Sequence, residues 1–191
     1  MRIKEIKVYK FNELSDKAKQ YAIEKYREHD DFSHNAAYVI EDATAYGKLM
    51  GVDIEKIYYS GFCSQGDGAC FTGSYHYRED CMKLVKDYAP TDERLHDIAL
   101  AFSLCAGVSA KIERRGSYCH SNSMSISVYS EHSDGYVKEK EDKILVAALK
   151  AYADWIYQSL EKEYEYQNSD ERNIEGIESN DYEFLENGRM E

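Results

Sequence analysis

Basic residues are scarce in this chain: 24 Lys and Arg stand against 36 Asp and Glu, a formal net charge of −12 over 191 residues. Nucleic acid is held largely by Lys and Arg that displace counterions from its phosphates, so ordinary DNA or RNA binding is disfavoured. No apolar run approaches the roughly 18 residues that a membrane-spanning helix needs, and no membrane segment is expected. Cys63, Cys70, Cys81, Cys105 and Cys119 contain no C-x-x-C spacing, and five thiols cannot all pair in one chain, so neither a redox motif nor a disulfide framework is indicated. Reduced, mostly buried thiols are the expectation. Met1–Lys7 alternates charged and apolar residues without the continuous apolar stretch of a secretory signal, which predicts a cytoplasmic protein. No repeat of solenoid or propeller period occurs.

What is present is apolar and aromatic material sufficient for a core: 43% hydrophobic residues and 18 Tyr. A folded chain of this length buries roughly 70% of its unfolded surface without help from disulfides or metal. The patterning predicts an α+β fold: an antiparallel sheet of two β-hairpins plus an N-terminal strand, with about four helices packed mainly on one face. Val8–Phe11 closes the first strand, and Ser15 is an N-cap for a helix from Asp16 to about Glu28. A second helix is expected from Asn35 to Met50, separated from the first by Asp30 and Asp31. In the first hairpin Ile54, Tyr58 and Phe62 share a face, and Phe71, Tyr75 and Tyr77 answer them. Thr91, after the single proline Pro90, is placed as the cap of a helix with the stripe Leu95, Ile98, Ala99, Phe102 and Cys105. The second hairpin turns Val108, Ala110, Ile112, Met124, Ile126 and Val128 inward and Lys111, Glu113, Ser125, Ser127 and Tyr129 to water. A long helix from about Lys138 to Tyr164 covers the dry face.

Charge divides this chain unevenly. Residues 161–191 hold eleven acidic and three basic residues and carry −8 of the −12. The expected organisation is a single domain over 1–166 and an acidic tail over 167–191, in which Asp181–Gly188 can add a short strand and Asn187-Gly188 marks a turn. Glu161, Glu163, Glu165, Asp170 and Glu171 are the candidate acidic partner surface.

The segment richest in chemical groups is Tyr59–Gly73, with Ser64-Gln65-Gly66-Asp67-Gly68 at its turn. Glycines permit positive φ and close backbone approach, so Tyr59, Gln65, Gly66, Asp67, Gly68 and His76 are candidate ligand-binding or partner-binding residues, against the plainer reading of a hairpin turn. No Gly-Lys-Ser/Thr follows, which excludes a phosphate-binding P-loop, and the dinucleotide fingerprint lacks its strand-loop-helix setting. Cys63 or Cys70 with His76 or His120 are the residue types of a thiol nucleophile and base, and Cys70, His76, Cys119 and His120 those of a zinc site. Nothing in their spacing fixes either arrangement, so no catalytic residue, metal or cofactor is assigned. Arg114 and Arg115 mark a strand end or a small anion site.

Tyr9–Lys19 with Ala22 and Tyr26, together with Ser60–Ala69, resembles a group of small proteins of tailed bacteriophages and prophages, some described as antitoxins of toxin-antitoxin systems. The resemblance implies an accessory protein acting inside an infected bacterium and supplies no catalytic residue. The expected function is therefore non-enzymatic: binding and inhibition of a host protein, as an anti-defence, anti-CRISPR-like inhibitor whose carboxylates imitate phosphate. The alternatives are an antitoxin, or a protein that binds a nucleotide signal with the Gly-rich loop.

Overall fold

A computed structural model of the protein describes residues 5–29, 32–131 and 135–191. In chain order the elements are strand β1 (Tyr9–Lys10), helices α1 (Asp16–Arg27) and α2 (Phe32–Leu49), strands β2 (Val52–Tyr59) and β3 (Ala69–His76), helices α3 (Cys81–Tyr88) and α4 (Glu93–Ser103), strands β4 (Val108–Arg114) and β5 (Met124–Ser130), helices α5 (Glu139–Asn168) and α6 (Asp170–Ser179), and strand β6 (Glu183–Phe184). Among the described residues this is an α+β fold with six α-helices, a four-stranded antiparallel sheet and a separate two-stranded one. The expectation of about four helices with an N-terminal strand in the main sheet is corrected on both points. The two unforeseen helices are α3, only 8 residues long, and α6, whose density of charge reads as a solvated tail. The N-terminal strand pairs not with the main sheet but with β6, Tyr9 opposite Phe184. Asp30, Asp31 and residues 1–4 lie outside the described residues.

The chain divides into two units, Ala37–Glu161 and the two ends Met1–Ala36 with Lys162–Glu191. In the first, the strands lie in the order β2-β3-β4-β5, all antiparallel. Phe71 and Tyr75 of β3 point into the core, where Phe71 meets Tyr152 of α5 and Tyr75 stacks on Phe102 of α4 at 5.1 Å between ring centroids. The register of β2 slips between Ile54 and Lys56, a β-bulge that reverses which residues face inward. Ile57, not Tyr58, continues the buried row begun by Val52 and Ile54, and Tyr58 lies instead beneath Lys56 and the Arg114 guanidinium. Helix α4 is capped by Asp92 rather than Thr91, because the Asp92 carboxylate accepts from the Leu95 amide at 2.9 Å. Burial pushes the Cys105 thiol up to about 11 and raises Cys81 as well, so both remain neutral parts of the core.

In the second unit, Ser15 caps α1 by accepting from the Ala18 amide. Phe11, Leu14, Ala22, Ile23, Ile177 and Phe184 form its core, and Phe11 meets Phe184 at 6.1 Å. The acidic end of the chain thus supplies Ile177 and Phe184 to a buried cluster. Phe184→Ala in the full chain is expected to lower stability by about 3–5 kcal/mol, the usual cost of deleting a buried Phe, and urea denaturation followed by circular dichroism measures it.

Candidate functional site

The β2–β3 loop is built around one carboxylate. Asp67 Oδ2 accepts from the backbone amides of Cys63 at 3.1 Å and Ser64 at 2.7 Å, while the Asp67 amide donates to the Ser64 carbonyl at 3.1 Å. The Ser60 amide donates to the Gly68 carbonyl at 3.1 Å and closes the base of the loop. This is an Asx-type turn, in which an Asp side chain replaces backbone partners for consecutive amides. Phe62 stacks between Tyr59 and Tyr157 of α5, and the Tyr157 hydroxyl donates to the Gly61 carbonyl at 3.3 Å. Partial burial, then the charges of Glu161 and Asp67, raise the Tyr157 pKa, so the hydroxyl stays a donor.

The segment 115–123 folds back over β3 beside this loop. A Cβ at Gly68 would stand 2.9 Å from the Cys119 carbonyl oxygen, which is why this position carries no side chain. Cys70 is fully buried beneath the same segment, its thiol 3.9 Å from the Tyr118 carbonyl, and burial followed by the neighbouring Cys119 raises its pKa. Arg114 fixes that segment through the carbonyls of Ser117 and Tyr118. The His120 ring accepts from the Asn122 amide at 3.0 Å, so its Nδ1 is engaged locally.

Of the candidate ligand-binding residues, Tyr59, Asp67 and Gly68 therefore come together as parts of one self-bonded turn, with Gln65 and Gly66 exposed at its tip. His76 lies at the far end of β3, about 23 Å away for a strand that rises ~3.3 Å per residue, and faces Glu131 at 3.7 Å. Among the candidate acidic residues, Glu163 accepts from the Gln167 amide at 2.6 Å and Asp170 holds Arg27 at 2.6 Å. Glu165 and Glu171 are exposed and Glu161 is half-buried. No group of three His, Cys, Asp or Glu among the described residues is arranged to hold a metal ion. No helix among them is long and apolar enough to cross a membrane.

A second feature lies outside the residues singled out from the sequence. Between α4 and α5 runs an open groove of about 450 Å³, walled by Ile98, Ala101 and Leu104 on one side and Ile144, Ala147 and Ala151 on the other, with Arg94 and Asp97 at its rim. The two helices are held apart at a set spacing by Asp92, whose second carboxylate oxygen accepts the Trp155 indole N–H at 2.8 Å. Leu104 lines the groove 59% exposed, and Leu100, one helical turn earlier, is 50% exposed. Their i, i+4 spacing outside the buried stripe, with alanines recurring on α5, is the sequence signal that marks it.

The unit Ala37–Glu161 is thus a one-sided antiparallel sheet covered by helices, with a closed hairpin loop and an open apolar groove. Residues 35–170 match the family described as a domain of unknown function (DUF8835), and the chain belongs to that family. No curated protein and no solved structure matches the chain. The loop, the groove and the whole four-stranded sheet lie within the matched residues.

Replacing Asp67 by Ala frees two loop amides to water and is expected to cost about 1 kcal/mol, with Asp67→Asn recovering part of it. Denaturant titration of the three proteins, with Phe62 packing followed by near-ultraviolet circular dichroism, gives the comparison.

Proposed function

We propose that the protein is a non-enzymatic accessory protein that binds another protein through the α4–α5 face. The observation that carries this reading is the apolar groove lined by Leu104, with Leu100 one turn earlier on the same helix, each at least half exposed. Contiguous exposed apolar surface rimmed by charge is characteristic of recognition sites, and a groove between two helices suits an apolar helix or side-chain row from a partner. Arg94 and Asp97 at the rim add polar selectivity at little cost in desolvation. The net charge of −12 favours a basic partner and speeds its encounter without needing carboxylates inside the contact.

The likeness of Tyr9–Lys19 and Ser60–Ala69 to proteins of tailed phages and prophages supports a bacterial host protein as the target, met in the cytoplasm. Inhibition of a defence system, in the manner of an anti-CRISPR protein, is the form of activity this combination favours, and an antitoxin role is the alternative. Nucleotide binding by the Gly-rich loop is the weaker reading, because Asp67 and the loop amides already satisfy one another.

Affinity capture from a bacterial host lysate with the tagged full chain, followed by mass spectrometry, tests the proposal. A stoichiometric protein is expected with the wild type, and its recovery is expected to fall at least about tenfold with Leu100→Asp/Leu104→Asp, a change equivalent to 1.4 kcal/mol. Equal recovery by the two proteins would contradict the assignment of this face.

A further inference from the structure

We propose that the chain pairs with a second copy of itself along β5, joining two four-stranded sheets into one of eight strands. Among the described residues, β5 is the last strand of its sheet and its ladder is formed with β4. In an antiparallel ladder every second N–H and C=O of such a strand points away from its neighbour. Among the described residues, the Met124 amide donates to the Ser121 carbonyl, and no backbone hydrogen bond of Ser125–Tyr129 reaches anything outside the β4–β5 ladder.

The two edges of the sheet are treated differently. β2, at the other edge, carries Asp53, Glu55 and Lys56 and the β-bulge between Ile54 and Lys56, features with which proteins block strand addition. β5 reads Met-Ser-Ile-Ser-Val-Tyr-Ser, with no charge, no proline and no break in register. It lies in Gly116–Ser130, a run without one Asp, Glu, Lys or Arg in a chain that is 31% charged. An edge of this length and composition is a template for another strand.

The occupant that fits is the same strand. Antiparallel pairing with Ser127 opposite itself sets Ile126 against Val128 and Ser125 against Tyr129. The inward Ile126 and Val128, only half-buried in the single copy, would complete each other's cover, and Tyr129, 52% exposed, would lie over a small serine. No charge meets its like across the axis, although each copy carries −12. The contact is two-fold and closed, so it ends at the dimer.

The test is the mass of the full chain in solution by light scattering, measured against concentration. The wild type is expected at twice 22.1 kDa. Ser127→Lys, which sets two ammonium groups opposite each other at an exposed site, is expected to weaken association at least tenfold with unchanged circular dichroism, and Glu55→Lys on the other edge to leave it intact. An equimolar mixture of Ser127→Lys and Ser127→Glu is expected to restore the dimer as a heterodimer. A wild type monomeric at every concentration, or a dimer indifferent to Ser127→Lys, would overturn the proposal, as would a mixture that fails to reassociate.

Discussion

The unit Ala37–Glu161 depends on how Tyr152 is buried. Its side chain is fully enclosed, its hydroxyl donates to the Ala43 carbonyl of α2, and its ring meets Phe71 of the sheet and stacks on Trp155. One residue of α5 thereby touches a second helix, the sheet and the group that spaces α4. Burial drives its pKa well above the ordinary tyrosine value, so the phenol remains a neutral donor. Leaving such a hydroxyl unpaired would cost about 1–3 kcal/mol, which is why its partner is a helix carbonyl close at hand.

The consequences run outward along α5. Trp155, one turn-fraction beyond Tyr152, donates to Asp92 and sets the spacing of α4, and the groove lies along this same pair of helices. Tyr157 reaches the opposite way and holds the β2–β3 loop through Phe62 and Gly61. The loop is consequently closed by its own carboxylate and by α5, whereas the groove stays open. Two surfaces stay open: an apolar groove on the helical side and an uncharged strand at the sheet edge.

Much of this was legible in sequence where a period persists. Leu95, Ile98, Ala99, Phe102 and Cys105 repeat with helical spacing and are all buried. Val108, Ala110 and Ile112 alternate and face the core in the same way. Reading failed where a local event changes phase or where a partner is distant. The bulge after Ile54 moves Tyr58 to the open face, and a two-fold alternation carries no trace of it. β1 finds β6 more than 170 residues away, a pairing no local pattern encodes. α6 shows few apolar residues, and only packing of Ile177 against Phe11 and Phe184 explains its place. At the loop, the residue types suit both a turn and a ligand cradle, and the inward bonds of Asp67 that close the turn are contacts local spacing does not encode.

The most direct test of this account is chemical denaturation of Tyr152→Phe, which removes one oxygen and keeps the ring. With Tyr152 as the pin of α2, α5 and the sheet, the variant is predicted to lose about 1–1.5 kcal/mol, the net worth of a good buried hydrogen bond. Stability equal to that of the wild type would contradict the claim that this contact holds the unit together.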